Sequence, residues 1–281
     1  MKNFFKKRCR QITMLSFFLF GAWFLFSGAT AVHAETCTWT AASSTDMSTS
    51  TNWSGCTLSS DDDLVFDSTT TTNATWDTAF TQIATVTVDS GYTGTITIGA
   101  AAATTTGNFT MSDGLVTSTA TGLFKIGGNL TVNTGARFAG DVTGNVELYG
   151  TSKTLGGAGS IIFYDLTVNG SVALTGNVTS TNLLTINSSK SLDAGGYKIN
   201  LSKDSGTPLV INGTFTAGTS TVSFDAATDA TIAGTTYYNL TVNAASSTFG
   251  GNVTSTNLLT INASKTLNAG SVTIQLSKDS G

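Results

Sequence analysis

From Ile83 onward, apolar and polar residues alternate with a period of two. Ala84-Thr85-Val86-Thr87-Val88 and Thr95-Ile96-Thr97-Ile98 place β-branched apolar side chains on one face and threonines on the other, as short half-buried strands require. Ser90-Gly91 and Gly99 punctuate these runs. Asn108-Phe109-Thr110-Met111, Leu123-Phe124-Lys125-Ile126 and the stretch from Val142 to Leu148 continue the pattern, with glycines between them. The chain is rich in Thr, Val, Ile, Asn, Ser and Gly and holds a single proline, Pro208. Such a composition predicts strands and tight turns rather than long helices.

The alternation is organised into a repeat. Residues 251–281 copy residues 176–206 at an offset of 75, with 24 of 31 positions identical. The changes keep apolar sites apolar and polar sites polar, as expected if one face is buried and the other wet. Tyr197, which reads as inward-facing, becomes Val272, whereas Lys198 and Asn200 become Thr273 and Gln275. A shorter unit lies inside the repeat. Asn129-Leu130-Thr131-Val132-Asn133, Asp165-Leu166-Thr167-Val168-Asn169 and Asn239-Leu240-Thr241-Val242-Asn243 are one pentamer, and Leu183 to Asn187 and Leu258 to Asn262 echo it. Their spacings of 36 and 74 residues suggest two sub-units per repeat, each one or two turns of a coil.

Several strands end in an apolar residue followed by Asn, at Asn133, Asn169, Asn187, Asn212, Asn243 and Asn262. Asparagine tolerates the left-handed region and can bond its own backbone. These six are therefore expected at one common corner, with their amides stacked in a ladder. The Asn-x-Ser/Thr triplets at Asn108, Asn177 and Asn252 arise by chance in so Asn- and Thr-rich a chain, and no role is read from them.

Composition changes the picture at the N-terminus. Lys2, Lys6, Lys7, Arg8 and Arg10 precede an apolar run from Ile12 to Phe26, and Val32-His33-Ala34 offers small residues at the peptidase positions. The run falls short of the ~20 residues that span a bilayer. Residues 1–34 therefore read as a signal peptide cleaved after Ala34, with no membrane span in the mature chain. Five of the 13 Lys and Arg lie in this leader and none of the 17 Asp and Glu, so the remainder carries a net charge of −9. That acidity argues against a nucleic-acid partner. Cys37 and Cys56 remain and are expected to pair in an exported chain. Residues 35–77 also hold Trp39, Trp53 and Trp76 and read as an N-terminal cap that closes the first apolar layer. Trp39 or Trp53 could instead be a sugar-stacking platform.

The segment from Gly213 to Asn243, together with Trp39, Asn52-Trp53-Ser54 and Asp62-Asp63-Leu64-Val65-Phe66, resembles bacterial β-strand-repeat surface proteins of the haemagglutinin-like and autotransporter-passenger type. The chain departs from that pattern in lacking a proline between Asn-Trp-Ser and the acidic run, where it carries Cys56 instead. The resemblance implies a right-handed parallel β-helix, a β-solenoid, over residues 78–281. Short strands, Gly and Asn corners and the pentamer agree with it. Tandem immunoglobulin-like β-sandwiches are the alternative all-β fold, for which 75 residues is short. The repeat stops at Gly281 in phase with Gly206, which suggests a truncated array whose open C-terminal edge could self-associate.

Candidate chemistry is sparse. The single histidine, His33, lies in the leader, so no His-based nucleophile or metal site can be built after it. Arg137, Glu35 and Glu147 are isolated, and most aspartates fall singly in turns, as at Asp113, Asp141, Asp193 and Asp225. The run Asp61, Asp62 and Asp63 is a weak Ca²⁺ candidate; no catalytic residue or cofactor is expected. These features point to an extracellular or cell-surface, non-catalytic, adhesin-like scaffold that contacts a surface, a glycan or a neighbouring envelope protein. Alternatives are a polysaccharide-active β-helix enzyme and an ice-binding solenoid displaying Thr85, Thr87, Thr95 and Thr97.

Overall fold

Alternation of buried and outward residues runs through almost every strand. In Thr85–Val88 and Thr95–Ile98 the valines and isoleucines are buried and the threonines face out. The computed structural model describes residues 34–77, 81–99, 102–118, 122–139 and 144–278. The basic leader residues, the apolar run, Val32, His33 and Asp141 lie outside them. The described chain is all-β: a parallel β-solenoid of about 10 turns, with one three-residue 3₁₀ segment at Ser50–Asn52. No described helix is long and apolar enough to cross a membrane.

Each turn is three-sided over most of the stack. A first face holds Thr36–Trp39, Asp63–Phe66, Thr85–Val88, Phe109–Met111, Leu130–Val132, Lys153–Gly156, Ser171–Leu174, Ser191–Asp193 and Thr214–Thr216. The strands stack in parallel, and Trp53–Ser54 closes the first of them antiparallel. A second face begins with Ala74–Trp76, Thr95–Ile98, Leu115–Ser118 and Arg137–Ala139. A third holds Gln82–Ile83, Ala103–Thr105, Leu123–Ile126 and Asn145–Leu148. Parallel stacking thus already begins at Asp63–Phe66, within the segment read as a cap. Ser160–Val168 and Val178–Ile186 are single nine-residue strands that bend from the second face into the third, with a register shift at Phe163/Asp165.

The interior is a continuous apolar column. Phe109, Phe124, Phe138 and Phe163 form a chain of ring contacts with centroids 5.5–6.3 Å apart. Burying each such ring contributes roughly 1.5–3 kcal/mol. At the N-terminal end Trp39, Trp53 and Phe66 pack with centroids 5.0–5.7 Å apart. Cys37 and Cys56 are joined in a disulfide with Cα atoms 5.2 Å apart. Asn52 is fully buried yet satisfied: its carbonyl accepts the Ser43 and Ser44 N–H groups at 2.9 and 3.0 Å, and its amide donates to Ser44 Oγ and Asp46 O.

The two copies of the repeat do not occupy equivalent faces. The second-face column runs in register from Thr179 through Asn200, Ser223 and Thr241 to Thr260. Four turns therefore advance 81 residues, from 179 to 260, against a sequence repeat of 75. Thr260 copies Thr185, which lies on the third face. The third face ends with Leu209–Ile211 and the first with Thr214–Thr216. A new face of Ser205–Gly206, Asp229–Ile232, Ser246–Phe249 and Thr266–Asn268 takes over. The shorter pentamer is likewise distributed: its copies starting at 129, 165 and 239 lie on the first, third and second faces.

This shift overturns the single asparagine ladder. The six asparagines fall on three corners: Asn133 alone, then Asn169, Asn187 and Asn212, then Asn243 with Asn262. Two short ladders survive, with Asn187 Nδ2 donating to Asn169 Oδ1 at 3.4 Å and Asn262 Nδ2 to Asn243 Oδ1 at 3.0 Å. None of the six has positive φ; Ser189 and Ser264 do instead, at 62° and 63°. Asn187 and Asn262 open turns that close with the Lys190 and Lys265 N–H groups on their carbonyls, the first-position role for which Asn is suited.

Candidate functional site

The acidic run does not converge on a point. Asp62 is turned into the cap, where its carboxylate accepts the Glu35 N–H at 2.9 Å and the Ser59 N–H at 2.6 Å. Asp63 faces outward and accepts from Thr85 Oγ1 at 2.6 Å, while Asp61 is exposed. Cys37, Cys56 and Asp62 do bring ligand atoms within 4.8 Å of one another. The two sulfurs are tied to each other, however, and the carboxylate already serves backbone donors. In this state the group is a structural knot.

Neither tryptophan proposed as a sugar platform reaches solvent. Trp39 is fully buried and donates its indole N–H to Thr72 O at 3.1 Å; Trp53 is buried and donates to Met47 O at 2.8 Å. A flat surface for a sugar is therefore absent at both. Tyr197, read from sequence as inward, is instead 37% exposed at the corner after Ser191–Asp193. The alternation breaks there: Gly195 adopts φ of 55°, so the residues of the turn do not continue the strand's in–out order.

Buried phenols account for the perturbed ionisable groups. Burial raises Tyr92 and Tyr237 well above the ordinary phenol range, and each donates to a backbone carbonyl, Thr72 O at 3.0 Å and Ala233 O at 2.8 Å. Burial, and secondarily the Glu147 charge, also raises Tyr149. Because the folded pKa values of Tyr92 and Tyr237 lie above the unfolded value of about 10, these two buried phenols stabilise the fold fully below that pH. The contribution declines above it, by up to about 1.4 kcal/mol per pH unit per phenol. In an alkaline absorbance titration, Tyr92 and Tyr237 are expected to ionise only with unfolding. Reversible ionisation of all six tyrosines in folded protein would contradict their burial.

Asparagines missed in the sequence prove to organise the corners. Asn108 accepts the Asn129 N–H one turn on, Asn177 the Lys198 N–H and Asn252 the Thr273 N–H, at 2.8–2.9 Å. These are the triplet asparagines from which no role was read. The available signal was their place just before each strand, where the next turn's first N–H needs a partner. Asn73 and Asn129 do the same for Thr95 and Thr154.

Outward positions form long neutral polar columns. Thr75, Thr97 and Thr117 stack on the second face, and Thr179, Asn200, Ser223, Thr241 and Thr260 stack farther along it, where Ser223 is buried and Asn200 Oδ1 lies out of solvent. Thr85 and Thr87 lie on the first face, between Asp63 and Val65 below and Thr110 above, whereas Thr95 and Thr97 lie on the second. The four threonines therefore do not form one array. The ion pair of Lys125 and Glu147, at 3.7 Å, continues into a bond from Asn169 to Glu147. Arg137 lies on the second face and Glu147 on the third. Two open grooves cross the strands. One of about 340 Å³ lies on the first face between Lys153 and Thr216; the other, of about 400 Å³, lies on the last face around Asp229, Thr231, Ser246 and Thr248. Leu258, Ile261 and Leu276 are exposed on the last described turn. Known protein families, curated proteins and solved structures contain no match to this chain.

Proposed function

We propose that this chain is an exported, non-catalytic β-solenoid of the cell surface. In this reading it holds neutral hydroxyl- and amide-bearing faces against a surface, a glycan or a neighbouring envelope protein. The observation that supports this most directly is the in-register columns of small Thr, Ser and Asn side chains, part-exposed at every rung but that of the buried Ser223. A disulfide in the first turn and a basic-then-apolar leader support export. Arg137 lies on the second face, away from Glu147 and Asp165 on the third, and Asp165 already accepts from the Asn182 amide; this weakens the polysaccharide-cleaving alternative, which needs converging free carboxylates. Interruption of the threonine rows by Asp63, Val65 and Leu115 weakens the ice-binding one.

Adhesion of the purified protein to intact cells and polysaccharide-coated surfaces tests the reading. Retention is expected for folded protein and loss after heat denaturation, because the contact surface exists only when the turns are stacked. Equal retention of denatured protein would argue against a specific scaffold. Release of reducing sugars from any polysaccharide would overturn the non-catalytic part.

A further inference from the structure

We infer that the groove on the first face is a binding subsite for a neutral oligosaccharide, with Tyr197 as its stacking platform. The inference rests on the surface-contact reading and names one ligand class for it. The groove crosses four successive strands and is lined by Lys153, Thr154, Ser171, Ser191, Asp193 and Thr216. Every rung thus offers a hydroxyl or a charged donor or acceptor. Small Ala173, in register between Thr154 and Asp193, leaves the floor open. Ser191 and Ser171 already share a hydrogen bond at 3.1 Å, so their hydroxyls are oriented in advance. The rungs repeat at about 4.8 Å, a spacing on the scale of one pyranose ring.

The rim supplies the second half of the chemistry. Asp193 accepts the Gly195 N–H at 3.0 Å, and the Tyr197 ring lies over Gly195, 3.5–3.7 Å from where a β-carbon would stand. Tyr197 is the one large aromatic exposed among the described residues. An aromatic face beside convergent hydroxyls suits a sugar, which presents C–H groups on one side and hydroxyls at its edge. With one lysine and one aspartate at the groove and a net charge of −9 outside the leader, a polyanion is disfavoured.

Comparison of the two repeat copies separates this chemistry from the scaffold. Seven of 31 positions differ, and six of the seven fall between Ser191 and Asn200. Asp193, Tyr197 and Lys198 become Asn268, Val272 and Thr273. The turn itself is unchanged: Asn268 Oδ1 accepts the Gly270 N–H at 2.9 Å, and Gly270 has φ of 60° against 55° at Gly195. The corner therefore needs neither the charge nor the ring, yet the first copy carries Asp193 in the groove and Tyr197 on the corner four residues beyond it.

The test titrates the full chain, labelled for backbone amide NMR, with cello-, xylo-, manno- and chitohexaose. At least one is expected to give saturable shifts confined to Lys153–Gly156, Ser171–Leu174, residues 191–198 and Thr214–Thr216. The triple variant Asp193→Asn, Tyr197→Val, Lys198→Thr carries only residues already accommodated in the second copy. It is expected to keep the wild-type spectrum elsewhere and to bind at least about tenfold more weakly. No saturable shift with any of the four sugars, shifts centred elsewhere, or undiminished binding by the variant each overturns the inference. Absent sugar binding together with intact surface adhesion removes this subsite alone and leaves the adhesive reading standing.

Discussion

Trp39→Ala is expected to destabilise the protein by about 3–5 kcal/mol, the range for deleting a large ring from a packed core. Trp39 is fully buried, contacts Trp53 and Phe66 with centroids 5.0 and 5.7 Å away, and donates to Thr72 O. Its strand, Thr36–Trp39, pairs with Trp53–Ser54 on one side and Asp63–Phe66 on the other. The loss therefore opens the end of the apolar column rather than one isolated cavity. In a solenoid each turn is stabilised by its neighbours, so hydrogen-exchange protection should fall first in residues 36–98. The carbonyl of Thr72 keeps a donor from Tyr92, so the cost is chiefly packing. Denaturant unfolding within about 0.5 kcal/mol of wild type would show that the cap does not depend on this ring.

Gly150→Ala is expected to cost about 3 kcal/mol, the upper part of the overpacking range, although Gly150 lacks a left-handed φ. The reason is close approach. A β-carbon there would stand 2.0 Å from Gly127 O, and one on Gly170 would stand 2.0 Å from Gly150 O. Three turns thus stack backbone on backbone at one corner. They cannot move apart freely, because the Ser171 N–H donates to Gly150 O and the Ser191 N–H to Gly170 O, both at 3.0 Å. Gly196→Ala is the control: its β-carbon would meet only Thr219 Oγ1, at 3.2 Å. Thermal melts should show a large drop for the first variant and little change for the second. Equal melts would mean that the corner tolerates a methyl group and that the glycine column is incidental.

Much of the candidate surface was hidden from linear reading. Alternation placed Thr85, Thr87, Thr95 and Thr97 outward correctly but could not tell that the first pair and the second lie on different faces. Trp39 and Trp53 are packed inside the first turn, and their burial excludes the sugar-platform alternative. Tyr197 reads inward because it alternates with polar Lys198 and Asn200, but a period of two extrapolated through Gly195 fails once the chain turns, and only Ile199 and Leu201 beyond it are buried. The groove between Lys153 and Thr216 joins residues up to 63 positions apart, brought together by four turns. No local pattern encodes that meeting.

What the sequence by itself determined is the local state of each residue: strands from the two-residue alternation, corners from glycine and asparagine, a bulky closed first turn, the Cys37–Cys56 pair and a stacked rather than sandwiched architecture. The tertiary structure decided which face each strand joins and what covers it. Identical Leu-Leu-Thr-Ile runs make the point: Leu184 and Ile186 are buried under Leu209–Ile211, whereas Leu259 is half-buried and Ile261 is 47% exposed. In-or-out orientation is set by each residue's immediate neighbours along the strand. Face and phase depend on the summed lengths of every corner in a turn, which is why a 75-residue repeat lands out of step with an 81-residue advance.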